Sequence, residues 1–184
     1  KTLVHTFIVN TRNPRIAARN GVAAGRVNLK APREATDEAW AWDDRLTLEI
    51  DGAVLAAVEI TPTRAPTVFL LGDSTVCDQS KEPYNSWGQM LTRFFKPAVV
   101  IANNAESGES LRSSLAARRL DKVLSTMKAG DYLFIQYGHN DEKEKGEGVG
   151  AFTTYKADLK KFVLETRKRG GVPVLVTPVH RRTF

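Results

Sequence analysis

FLLGDSTVCDQ, residues 69–79, is an apolar run that stops abruptly at Gly72-Asp73-Ser74-Thr75. An apolar run closed by glycine and small polar residues reads as a buried strand entering a tight loop. In an open α/β sheet such a loop lies at the carboxyl edge of the strands, where ligands bind. Ser74 there is placed either as a nucleophile or as an ordinary helix N-cap, and the surrounding sequence has to separate the two readings.

Three further runs resemble 67–71 (TVFLL): AVVIA (98–102), DYLFIQ (131–136) and VPVLVT (172–177). Short, uniformly apolar runs are the pattern of strands buried on both faces. Between them lie helical stripes. Leu111, Leu115, Leu120, Val123, Leu124 and Met127 form one, ended by Gly130. Tyr155, Leu159, Phe162, Val163 and Thr166 form a clearer one, ended by Gly170-Gly171. Strand and helix in alternation predict a doubly wound parallel sheet over 66–184. Upstream, Thr61-Pro62-Thr63-Arg64-Ala65-Pro66 reads as a stiff, non-helical linker. Before it, Leu3, Phe7 and Val9 alternate, and LTLEI-DG-AVLAAVEI (46–60) reads as a hairpin turning at Asp51-Gly52. The expectation for 1–65 is part of a β-sandwich accessory domain with its linker, with Trp40 and Trp42 on one side of a strand.

The chain has 184 residues, a net charge of +6 and a single cysteine, Cys77. One cysteine allows no internal disulfide and leaves the redox compartment open. Residues 1–65 carry 9 basic and 8 acidic side chains, and residues 66–184 carry 18 and 13. The excess of +5 on the second region would suit a polyanion such as an acidic polysaccharide. There is no interleaving of aromatic and basic residues of the kind that marks nucleic-acid surfaces. No apolar run approaches the roughly 18 residues of a membrane helix.

In a parallel sheet the loops after the strands gather at one edge. In order they hold Gly72-Asp73-Ser74-Thr75, then NNAESGES (103–110), then Tyr137-Gly138-His139-Asn140-Asp141, then Pro178-Val179-His180-Arg181-Arg182. A hydroxyl, a loop glycine and a side-chain amide are the set that acyl transfer needs. Ser74 Oγ would attack, and the Ser74 and Gly108 backbone N–H groups with the Asn140 amide would hold the negative oxygen. Asp73 is expected to hold the serine turn, Asp141 to be structural, and Cys77 to be a small buried hydrophobe. His180 and Arg181 lie at the same edge and could contact a uronate carboxylate, since arginine pairs carboxylates in a bidentate fashion. No metal or organic cofactor is implied.

These motifs resemble the SGNH or GDSL hydrolases, and within them the rhamnogalacturonan acetylesterase-like enzymes. The resemblance covers about 66–184 and rests on Gly72-Asp73-Ser74, Ser107-Gly108-Glu109-Ser110, Gly138-His139-Asn140-Asp141 and Thr177-Pro178-Val179-His180-Arg181-Arg182. It implies a flavodoxin-like sheet with strand order 2-1-3-4-5. It implies Ser74 as nucleophile, Gly108 and Asn140 in the oxyanion hole, and removal of O-acetyl groups from pectin outside the cell, in a secreted or periplasmic location. One departure matters. The family's Asp-x-x-His, which supplies the general base, does not occur here; the histidines are His5, His139 and His180. The expectation is therefore a hydrolase domain without its last strand and helix, inactive alone. Two other readings stay open: an esterase of the same superfamily on lipid or small acyl esters, and a non-catalytic carbohydrate-binding protein with a degenerate hydrolase domain. Oligomeric state is not legible.

Overall fold

Four parallel strands carry the molecule: β3 (Thr67–Gly72), β4 (Val100–Asn103), β5 (Tyr132–Gln136) and β6 (Val172–Leu175). They follow a minor pair made by β1 (Arg15–Ile16) and β2 (Gly25–Arg26). The computed structural model describes residues 3–52 and 54–180. Sheet order is β4-β3-β5-β6, so counting from the linker it is 2-1-3-4. All three pairings are parallel, and the register sets Gly72 beside Gln136. The four strands lie within one to three residues of the apolar runs, and the sheet has the expected α/β order.

Alternation within β3 divides the core. Val68 and Leu70 pack with Val76, Cys77, Ile101 and Ala105 on one face. Phe69 and Leu71 pack on the other with Leu111, Leu120, Val123, Leu133 and Phe162. The helices on this second face are α2 (Leu111–Ala116), α3 (Arg119–Thr126) and α4 (Lys156–Lys168); a short helix, α1 (Trp87–Met90), covers the first. The α4 helix ends as its sequence requires. Gly170 takes φ +71, the Gly171 N–H bonds the Thr166 carbonyl and the Gly170 N–H bonds Arg167.

The stripe expected to make one helix over 111–127 is two. Arg118 takes φ 62 between α2 and α3. The cause is tertiary. The Asn28 N–H takes the Ala117 carbonyl at 3.0 Å, and the Arg118 guanidinium reaches the Ala23 and Ala24 carbonyls. The segment before the linker docks at this break. Gly25 lies against this contact: a Cβ there would stand 1.9 Å from Arg118 Nη1, so a larger residue would displace that guanidinium.

That segment forms no sandwich among the described residues. Only β1 and β2 pair, and 3–9, 46–52 and 54–60 run without strands. Gly52 does take the positive φ of the expected turn, at 66°. Yet Leu46, Leu48, Ile50, Val54 and Ile60 are exposed, with no apolar layer to pack on, and an isolated hairpin is marginal in water. Trp40 and Trp42 also depart from expectation. They lie on a 3₁₀ turn, Ala39–Trp42, so Trp42 is buried while Trp40 is exposed.

Residues 12–44 are instead built onto the helical face of the sheet. Ile16, Val22, Val27 and Trp42 belong to the same apolar cluster as Leu120 and Phe162. Asn20 Nδ2 bonds the Leu124 and Met127 carbonyls at 3.0 Å, capping the end of α3. Glu34 and Arg119, 2% and 1% exposed, form a two-pronged ion pair inside this junction. Removing one member of a buried pair strands the other charge, at about 3–5 kcal/mol. Glu34→Ala is therefore expected to lower unfolding free energy by about that amount in a denaturant titration. Asp51→Ala, on the exposed turn, should shift it by less than about 0.5 kcal/mol.

Candidate active site

At the end of β3 the chain turns sharply, and the reason Gly72 is glycine is steric. A Cβ there would meet the Gln136 carbonyl at 2.6 Å and Val76 Cγ2 at 2.5 Å. Asp73 is fully buried beneath the turn. Its Oδ1 accepts from the Thr75 N–H at 2.9 Å and the Thr75 hydroxyl at 2.8 Å. Asp73 thus holds the serine turn, as its sequence position led us to expect. The Thr75 hydroxyl accepts in turn from Gln136 Nε2, and Gln136 Oε1 accepts from Trp87 Nε1 at 2.7 Å. A polar chain, Trp87–Gln136–Thr75–Asp73, therefore runs from α1 across the end of β5 to the turn. Each member's donors constrain the next, so the chain stiffens the turn as a unit. Ser74 is half-buried on that turn, and its carbonyl accepts from Gln79 Nε2 at 2.8 Å. Among the described residues nothing bonds to Ser74 Oγ.

The loop after β4 is tied to the same place. The Glu106 N–H bonds the Gly72 carbonyl at 3.1 Å, and Asn103 Nδ2 reaches the Val76 carbonyl at 2.7 Å. Gly108 is exposed at its tip with φ +75, a conformation that favours glycine. The loop after β5 joins it. Asn140 is half-buried, and its Nδ2 donates to the Glu109 carbonyl at 3.0 Å, one residue from Gly108. Asp141 Oδ1 accepts from the Leu111 N–H at the start of α2, a structural role as expected. Burial pushes the Asp141 carboxyl above its ordinary range, while that N–H pulls it down.

The other sequence candidates fall differently. His139 is buried, with Nε2 at 2.6 Å from the Val179 carbonyl, so this nitrogen donates and is committed to the loop after β6. His180 is exposed and bonds to none of the described residues. Arg181 lies outside the described residues. Cys77 is 1% exposed and its thiol is pushed up to about 11 by burial, so it stays protonated at neutral pH.

A buried charge cluster beneath the Gly108 loop was not read from the sequence. Glu106 pairs with Arg33, Arg119 Nε lies 3.7 Å from Glu109, and Lys30 Nζ bonds the Ser107 carbonyl at 2.6 Å. Arg33 and Lys30 come from the segment before the linker, so no local pattern signals them. Gln136 did leave a signal: a polar residue closing an apolar run. Burial works against a charge on Glu34, yet Arg119 holds its carboxyl below the ordinary range. Glu106 is pushed from 4.5 up to about 7, first by burial, then by the charge on Glu34, against the pull of Arg33.

The parallel sheet thus carries a serine, a glycine and an asparagine on three mutually bonded loops. Residues 68–179 match the GDSL-like Lipase/Acylhydrolase family, and the chain belongs to it. It is 40% identical over 119 residues to "Rhamnogalacturonan acetylesterase RhgT" of Bacillus subtilis (strain 168), covering 64% of this chain and 50% of that one. It is 36% identical over 117 residues to "Probable rhamnogalacturonan acetylesterase YesY" of the same strain, covering 62% and 54%. The crystal structure of protein YxiM from Bacillus subtilis superposes with a TM-score of 0.56 at 27% identity, over 64% of this chain and 34% of that one. The chain spans about half the length of the two acetylesterase relatives.

The Glu106 shift has a sign. The folded protein keeps this proton where the unfolded chain has lost it, so the contribution is fully present below 4.5 and is lost as pH rises through about 7. Glu106→Gln is expected to flatten this component of the pH dependence. The denaturation midpoint of the variant should fall less than that of the parent between pH 5 and pH 7.5.

Proposed function

We propose that this chain forms part of a serine esterase that removes O-acetyl groups from a pectic polysaccharide. The observation that carries the reading is the bonding of three loops, distant in sequence, around one edge of the sheet. The Glu106 N–H to Gly72 links the first two, and Asn140 to Glu109 links the second and third. Ser74 Oγ attacks the acetyl carbonyl and forms a tetrahedral intermediate. The Ser74 and Gly108 backbone N–H groups, with the second N–H of the Asn140 amide, hold its negative oxygen. The intermediate then expels the sugar hydroxyl, leaving an acetyl-serine that water hydrolyses.

The proton on Ser74 needs a base. His139 is committed to the Val179 carbonyl and His180 is exposed. On the family resemblance that base is a histidine. Without it a serine site retains only about 10³–10⁴-fold acceleration over water, from oxyanion donors and binding. The substrate class rests on likeness to two proteins named as rhamnogalacturonan acetylesterases, on the +5 excess over 66–184, and on the polar character of the loop Glu106 to Ser114. A lipase would line its acyl site with large apolar side chains. Action on an extracellular polymer places the protein outside the cytoplasm. His180 and Arg181 remain candidates for the uronate carboxylate.

Acetylated pectin is expected to be hydrolysed in preference to long-chain acyl esters; the reverse order would replace this reading with a lipase. In a chain of the relatives' full length, Asn140→Ala should lower kcat by about 10²–10³-fold with little change in KM. Ser74→Ala should abolish the acetyl-enzyme seen by mass spectrometry after rapid quench.

A further inference from the structure

Near the serine turn, beyond the end of β4, the segment before the linker and the sheet domain together line an open cavity of about 320 Å³. That volume lies at the small end of the range for small-molecule sites. Its lining includes Trp40, 68% exposed, with Asp43, Arg45 and Thr47 after it, and Asp78 and Gln89 from the sheet domain. The aromatic wall is held in place. Arg12 lies over the Trp42 ring at 4.5 Å from its centre, and its Nε donates to the Ala41 carbonyl at 3.0 Å. Both contacts fix the turn Ala39–Trp42, so Trp40 is presented to the cavity while Trp42 is the anchor. The Arg12 Nη2 group comes no nearer to Asp78 than 4.0 Å, which is too long for a hydrogen bond. Two hydrogen bonds link the lining residue Gln89 to the backbone of the candidate nucleophile. Gln89 Nε2 bonds the Gln79 carbonyl at 3.1 Å, and Gln79 Nε2 bonds the Ser74 carbonyl at 2.8 Å.

We propose that this cavity is a binding subsite for a pyranose ring of the polysaccharide, next to the residue that carries the acetyl group. An exposed indole offers an apolar face to the C–H face of a sugar, at little entropic cost because the turn is already fixed. The Asp43 and Asp78 carboxylates and the Arg45 guanidinium around it match the donor and acceptor hydroxyls of the ring edge. The inference rests on the polysaccharide reading above. It adds that the segment before the linker, and Trp40 in particular, selects a polymer over a small ester.

Binding tests this without turnover. Rhamnogalacturonan oligosaccharides and xylo-oligosaccharides are titrated separately into the 184-residue chain and followed by calorimetry. Trp40→Ala should weaken binding at least tenfold, Trp40→Phe less than threefold, and Asp51→Ala, on the exposed turn outside the cavity, should leave it unchanged. Thr47→Trp, on exposed chain, should fill the cavity and also abolish binding, which keeps the test intact if Trp40→Ala does not fold. Binding of xylo-oligosaccharides alone, lost in both blocking variants, would keep the subsite and overturn the pectic reading. Binding that survives both variants, or no binding of either sugar to the parent chain, would overturn the subsite.

Discussion

Gln136 is the side chain on which the candidate site depends. It ends β5 fully buried, in register with Gly72, and a buried amide must satisfy both its ends. Its nitrogen finds the Thr75 hydroxyl and its oxygen finds the Trp87 indole. Satisfying one amide therefore joins the central strand pair, the serine turn and the short helix α1. Asp73, buried under the turn, completes the chain. The serine on this turn is held by its neighbours and through its carbonyl by Gln79, while its hydroxyl bonds to none of the described residues.

The same edge is reinforced by charge. Glu34, Glu106, Glu109, Arg33 and Arg119 lie together beneath the Gly108 loop, most of them almost out of water. Burying ionised groups is costly unless they are paired, so this cluster holds only while the segment before the linker stays docked. Lys30 shows the coupling most directly: its ammonium lies 3.1 Å from where a Cβ on Gly108 would stand. The upstream segment thus belongs to the site's architecture. It splits the α2–α3 helix, caps α3 and supports the loop that carries the glycine.

Parts of this were legible from local pattern, and the reasons are specific. β3 and β4 are continuous apolar runs because both their faces are covered, whereas β6, at the sheet edge, keeps the same pattern with Val172 and Leu175 exposed. Gly170-Gly171 marked the end of α4 because the cap needs a left-handed residue. Gly72 and Asp73 marked the serine turn because backbone crowding and an unpaired N–H leave few alternatives. The hairpin at 46–60 was misread for the converse reason. Alternation records a preference for one apolar face, and no partner layer meets that face among the described residues. Trp40 and Trp42 were misread because a spacing of two means one face only in a strand; on the 3₁₀ turn that forms, it separates them.

From its sequence alone, the chain is a strand-and-helix alternation with serine, glycine and asparagine on successive loops, since those features depend on periodicity and turn chemistry over a few residues. Only the tertiary structure decided that these loops are bonded to one another, that His139 is committed elsewhere, and that residues 12–44 pack onto the sheet domain. Each of those outcomes joins groups tens of residues apart, such as Arg119 to Glu34 or Asn140 to Glu109. Such pairings are set by sheet order and by the need to satisfy buried polar groups, and neither leaves a periodic trace in the chain.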